Sequence, residues 1–408
     1  MTNWPVVPLR DVAEISAGIT LGRKTKESEL VSVPYLRVAN VQDGSLDLSE
    51  IKTVQATRRE IEKWRLRDGD LLLTEGGDLD KLGRGTCWRE QLPLCIHQNH
   101  IFRVRFPVDR YDPDFVSLQI GSGYGKAYFF AHAKKTTGIA SINQQVLGSF
   151  PLLSPPLEEQ QRIAAHLKSQ LAVVEEARQA AQAQVDEAAQ ITIAILRSTF
   201  GELGGIPSEQ ISRIARTCSG TTPSRSHADY WVPAVYPWIK TGEVANAPIR
   251  KSEEAISELA LKECSLTVLP PGTVLVAMYG QGRTRGQSAV LEVAATTNQA
   301  CFAILPSDRH EPEYLQFWLR HSYQELRSLS EGRGGNQANL NGQMLSTFGI
   351  PLPDLSRQRL IASRLKAAIA EVEAMQIGLV AQQQAIHELP ARLLAQVFSS
   401  HDHIQNQG

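Results

Sequence analysis

The sequence predicts an α+β protein: two related α+β domains separated by two long antiparallel α-helices that form a coiled-coil spacer, the whole organised as a pseudo-two-fold internal repeat. Three observations predict it. The second half of the chain echoes the first in order; each half holds short apolar runs bounded by Gly, Pro and Asp; and each half then passes, after a proline stop, into a stretch of heptad spacing.

The repeat organises everything else. Leu157-Glu158-Glu159-Gln160-Gln161-Arg162-Ile163-Ala164 aligns with Leu355-Ser356-Arg357-Gln358-Arg359-Leu360-Ile361-Ala362, and the same register carries Leu167 onto Leu365, Val174 onto Val372 and Phe200 onto Phe398. Upstream, Ile142-Asn143 matches Leu340-Asn341 without a gap. After a small shift, Pro34-Tyr35-Leu36-Arg37 faces Pro237-Trp238-Ile239-Lys240, and Gln98-Asn99 faces Asn298-Gln299. Chance does not produce so many matches in one order.

Residues 1–155 form the first domain, with strands expected at 70–73 and 101–106 and a helix over 114–120. Residues 156–200 form the central helix, which starts after Ser154-Pro155-Pro156 because proline suits a first turn and not an interior. Its apolar seam runs through Leu167, Val174, Ala181, Ala188 and Ile195, with Ile163, Ala177 and Ile191 between them. Residues 201–353 repeat the domain, with strands at 274–278 and 301–305 and a helix over 313–328. Residues 354–400 repeat the helix: Leu365, Val372, Leu379, Ile386 and Leu393 recur every seventh residue, Ile361, Ala368, Met375 and Leu389 fill the alternating positions, and Gln382 is the polar exception. Pro390 is expected to bend or end that helix. Residues 401–408 read as a disordered tail.

Composition bounds the function. The formal net charge over 408 residues is −1, so any surface for a polyanion must be local and the intrinsic affinity weak, with partners adding positive surface. No leader-like segment opens the chain and no run of about 18 apolar residues occurs, which predicts a soluble, cytoplasmic protein with no membrane partner. The five cysteines are scattered, without C-x-x-C pairs or zinc-ligand spacing, and are expected reduced and partly buried.

Two related domains on antiparallel helices share the local dyad of duplex DNA. A helix of about 40 residues is about 60 Å long, so the two heads would lie up to about 17 base pairs apart at about 3.4 Å per pair. Diverged heads imply unlike half-sites. At this point the chain resembles the specificity subunit of type I restriction-modification systems over essentially its whole length. Pro156-Leu157-Glu158-Glu159-Gln160-Gln161-Arg162-Ile163-Ala164 and its weaker copy at Pro353-Asp354-Leu355-Ser356-Arg357-Gln358-Arg359 carry the likeness, the copy departing at Ser356 and Arg357 where acids are typical. The resemblance implies two target-recognition domains, double-stranded DNA as ligand, two methyltransferase (modification) subunits docked on the helices, and restriction/translocase subunits beyond them. It also implies no catalysis and no cofactor on this chain, with S-adenosylmethionine, ATP and Mg on the partners.

Enzyme motifs fail on inspection. Ser154-Pro155-Pro156-Leu157 lacks the aromatic of a base-flipping methyltransferase loop, and Gly121-Ser122-Gly123-Tyr124-Gly125-Lys126-Ala127 lacks P-loop spacing and is expected to be a loop after a helix. Asp78, Asp80, His97 and His100 have no supporting constellation for a metal. Candidate DNA contacts are the loop residues that read base edges or hold phosphates. In the first domain these are Lys81, Arg84 and Arg89, and then Lys134, Lys135, Thr136, Thr137, Ser141 and Asn143. In the second they are Tyr279, Gln281, Arg283, Arg285 and Gln287, and then Arg333, Asn336, Gln337, Asn339 and Asn341. Pairs alike in both domains, Asn143 with Asn341 and Gln98-Asn99 with Asn298-Gln299, point to support of the fold rather than to readout. The competing reading is a coiled-coil interaction scaffold whose duplicated heads bind protein.

Overall fold

The computed structural model describes residues 4–22, 29–77, 82–136, 139–280, 282–330 and 339–398. The chain divides into two compact units: one takes the residues up to Ala181 and those from Gln382 onward, the other Gln182–Ala381.

The two units repeat one topology. In the first, strands Glu14–Ala17, Ile101–Arg105, Leu71–Thr74 and Gly85–Cys87 form an antiparallel sheet in that order; in the second, Thr217–Ser219, Cys301–Ile304, Val274–Ala277 and Ser288–Val290 do the same. A three-stranded sheet in each has one antiparallel and one parallel pair: Val31–Leu36 lies between Lys52–Ala56 and Ile96–His97, as Tyr236–Ile239 lies between Glu254–Ile256 and Thr296–Thr297. The two-stranded pairs, Val6–Pro8 with Pro151–Leu153 and Ser208–Gln210 with Gly349–Pro351, tie each domain's beginning to its end. Glycine is obligatory at matched places. A Cβ on Gly18 would stand 1.9 Å from the His97 carbonyl oxygen, and one on Gly220 1.8 Å from that of Thr297.

Helices pack on these sheets where the chain caps them. Asp112 accepts from Phe115 N at 2.9 Å at the start of Pro113–Gly121, with proline in its first turn, and Pro312–His321 is its counterpart. The Gly121–Ala127 segment, expected as a loop, is a helix boundary: Ser122 caps a further helix, Gly123–His132. Its buried Phe129 stacks on Phe150 at 5.4 Å. Sequence patterning missed that helix because its glycines and aromatics lack a 3.6 period.

Both long helices are continuous, Leu157–Gly201 and Leu355–Phe398. Pro390 lies inside the second without ending it. Past it, Leu393, Leu394 and Val397 pack on the first unit's core and Phe398 is part of it, so tertiary contact holds the turn that proline weakens. Each unit is completed by the start of one long helix and the end of the other. Ile163, Ala164, Leu167 and Phe398 belong to the core around Phe102, Phe115 and Phe150; Leu196, Phe200, Ala362, Leu365 and Ile369 belong to the core around Phe302 and Tyr314. Phe398 meets Phe115 edge-on at 5.6 Å and Phe200 meets Tyr314 at 5.7 Å.

The seam differs from the heptad reading in one respect. Ile163, Leu167, Leu365 and Val372 are buried, and Val174, Ile195, Ile361, Leu379, Ile386 and Leu393 half-buried. Ile191, Met375 and Leu389 are exposed instead, and their C-terminal neighbours Thr192, Gln376 and Pro390 turn inward. No helix among the described residues is long and apolar enough to cross a membrane. The five cysteines are free; Cys87, Cys95 and Cys301 are buried, and burial pushes each thiol up to about 12.

Candidate nucleic-acid interface

In the first domain the structure joins the two loop clusters that the sequence kept apart. Past Leu71–Thr74 the chain forms a short strand, Gly76–Gly77, which pairs with Ile139–Ser141; that strand in turn pairs with Lys134–Thr136. Gly76 permits the approach, since a Cβ there would lie 2.7 Å from the Ala140 carbonyl oxygen. Ile142 N closes the junction by donating to the Glu75 carbonyl at 2.8 Å. Lys134 and Lys135 stand exposed on this sheet, Lys135 with Nζ 3.6 Å from the Phe130 ring centre. Ser141 is half-buried, and the backbone of Thr136 lies in the hairpin. Arg84 is half-buried near the same strand, its carbonyl accepting from Thr74 N at 3.0 Å. Lys81, Thr137, Asp78 and Asp80 lie outside the described residues.

Arg89 and Asn143 are exposed, and each has a partner within the chain. Arg89 reaches Asp114 at 2.6 Å, and Lys168 of the central helix reaches the same carboxylate at 2.8 Å. Burial pushes the Asp114 carboxyl up, but the hydrogen bonds from Arg89 and Lys168 outweigh it and hold the group below its ordinary value. Asn143 accepts from Val146 N at 2.8 Å as a helix cap, and Asn341 accepts likewise from Met344 N at 2.9 Å. His97 is buried with Nδ1 3.2 Å from the Trp64 carbonyl, and His100 Nδ1 lies 2.6 Å from Glu75.

The second domain repeats the closing bond of this junction, with Leu340 N donating to the Met278 carbonyl at 3.0 Å. Tyr279, 40% exposed, follows it. Gly280, Gly282 and Gly286 all take positive φ, which lets the loop fold tightly. A short helix, Tyr323–Ser328, grips the loop by its backbone: Arg327 Nη1 donates to the Gly282 carbonyl at 2.8 Å and the Arg285 carbonyl at 3.2 Å, and the Tyr323 hydroxyl donates to the Arg283 carbonyl at 2.8 Å. The grip leaves Arg283 exposed and turns Arg285 inward, to 8% exposure, so Arg285 is not a surface contact. Gln287 is half-buried and Asn339 exposed. Gln281, Arg333, Asn336 and Gln337 lie outside the described residues.

Sequence reading missed Arg320, Tyr323, Gln324 and Arg327, which adjoin this loop. The signal was present: Arg320, Gln324 and Arg327 follow one another at helical spacing. It also left unexplained the glutamine of the helix-start motif. Gln160 and Gln358 are buried and make the same three bonds. Gln160 accepts from Asp112 N at 3.0 Å and donates to the Arg110 and Pro155 carbonyls; Gln358 accepts from Glu311 N at 2.8 Å and donates to those of Arg309 and Pro353. The motif therefore staples each long helix to its domain.

The family described as the type I restriction modification DNA specificity domain matches the chain twice, over residues 1–181 and 210–381. The type I restriction enzyme MjaIX specificity subunit of Methanocaldococcus jannaschii is 31% identical over 171 residues, which are 40% of this chain and 39% of that protein. That match thus spans about two fifths of the relative's length. The putative MjaX specificity subunit of the same organism is 22% identical over 386 residues, 90% of this chain and 86% of that one. Among solved structures, a chain from a study of complex assembly and conformational transition in the type I R-M system superposes with a TM-score of 0.78, covering 97% of both chains at 19% identity. At that identity the likeness is one of fold.

Proposed function

Because the chain belongs to the type I restriction modification DNA specificity family, we propose that it is the DNA-reading subunit of such a system. It reads a split, asymmetric target in double-stranded DNA and carries out no chemistry itself. One observation carries this reading. The backbone bond from Ile142 N to the Glu75 carbonyl recurs in the second unit as Leu340 N to the Met278 carbonyl, and the loops around it carry different polar side chains, Lys134 and Lys135 in one and Tyr279, Arg283 and Asn339 in the other. A shared frame with diverged loops is what reading two unlike half-sites requires. The two long helices then act as spacer and as docking surface for two modification subunits, with restriction subunits recruited beyond them. S-adenosylmethionine, ATP and Mg belong to those partners.

Binding of target duplex by the chain assembled with its modification subunits tests the loop assignment. Arg283→Ala, or Lys134→Ala with Lys135→Ala, is expected to weaken binding, and each lost phosphate contact should lower the slope of log affinity against log salt by about 0.9. Unchanged affinity and slope in both variants would contradict the assignment of these loops.

A further inference from the structure

The second domain holds a cavity of about 490 Å³. It lies between the loop carrying Arg283, the helices Pro312–His321 and Tyr323–Ser328, and the stretches of both long helices that belong to the same unit. Arg283, Arg320 and Arg327 line it with the amides of Gln287 and Gln376, and Glu373 is the one carboxylate among the lining residues. Three guanidiniums against one carboxylate leave the wall cationic.

The arginines are not equivalent. Arg327 uses Nη1 to hold the loop backbone, and Arg283 is exposed. Arg320 is half-buried, and among the described residues none accepts a hydrogen bond from it or pairs with it within ion-pair distance. Burial lowers its pKa, and the charge of Glu373 opposes that only partly. Among the described residues no nitrogen of Arg320 is both fully buried and unpartnered, so an anion from outside can reach this guanidinium. The shared architecture does not need it. With the helix-boundary serines Ser122 and Ser322 taken as equivalent, Arg320 and Arg327 fall on Ile120 and Ala127 in the first domain.

We propose that this cavity seats a backbone phosphate of the DNA, in a contact made by the second domain alone, and thereby fixes the loop carrying Arg283 over the bases it reads. The inference rests on the reading of the chain as a DNA-specificity subunit. Arg320 supplies the free donors, and Arg327 couples the seat to the loop.

The test is a scan of the target duplex with single neutral methylphosphonates, bound by the full chain assembled with its modification subunits, in wild type, Arg320→Gln and Arg320→Lys. Arg320→Gln is expected to weaken binding roughly ten- to a hundredfold and to make the salt slope shallower by about 0.9, while Arg320→Lys keeps most of that slope. One methylphosphonate position should weaken wild type and leave Arg320→Gln unaffected. The wild-type scan stands even if Arg320→Gln folds poorly, since the Lys variant then reports whether that position couples to residue 320. Equal affinity, slope and scan in all three proteins would overturn the proposal while leaving DNA reading intact. Thermal stabilisation of wild type but not of Arg320→Gln by inorganic phosphate, with no coupled backbone position, would assign the cavity to a free anion and overturn it too. Absence of any DNA binding by the assembly would instead overturn the functional reading on which it rests.

Discussion

His97 and Thr297 fill the same place in the two repeats, each accepting at its carbonyl from the backbone beyond the obligatory glycine. Only the histidine titrates. Burial, and then the charge of Arg103, hold its imidazole down at about 4, against an ordinary 6.5. As pH falls below 6.5 the unfolded chain takes up this proton first, so stability is lost between 6.5 and about 4 and rises with pH across that window, by up to about 3 kcal/mol. Melting curves across that range should show the loss, and His97→Thr should reduce it to the dependence of the same sign left by His310 and His321, which burial also depresses. A slope unchanged in His97→Thr would contradict this account. At this scale the sequence tells residue type and not destination. Arg89 and Arg285 sit in polar loops like those of true surface arginines, but Asp114 takes one and burial the other. Gln160 stands out as part of a motif, but its role depends on backbone 48 and 50 residues upstream that only the fold brings near.

At the scale of the element, the seven-residue repeat was legible because Leu167, Leu365 and Val372 are large and apolar at strict spacing. The alternating position was misplaced by one residue in three places. Ile191, Met375 and Leu389 drew the reading to themselves, while the true inward positions hold Thr192, Gln376 and Pro390, which no hydrophobic pattern marks. The ends of these helices matter more than their middles. Phe200 and Phe398 match across the repeat, and each closes the domain that lies beyond its own helix. Phe398→Ala and Phe200→Ala are each expected to destabilise by about 3–5 kcal/mol, with hydrogen exchange accelerating chiefly in the unit whose core lost the ring. Uniform acceleration of both units by either change would contradict separate cores.

For the whole molecule, the duplication was readable because paired strands and caps keep similar residues: the same register joins Leu36 to His97 and Ile239 to Thr297. What diverged between the repeats was not readable as function, since an arginine such as Arg320 shows its isolation only when the surrounding helices are in place. The central claim is that the two domains read two unlike half-sites. The most direct measurement is to co-express the chain with its methyltransferase subunit and map methylated adenines across the host DNA, for this chain and for one in which residues 1–155 are exchanged for another first domain. The account predicts a single split, asymmetric motif, of which the exchange alters one half and leaves the other. No methylation despite a bound, active methyltransferase, or an exchange that alters both halves or neither, would contradict it.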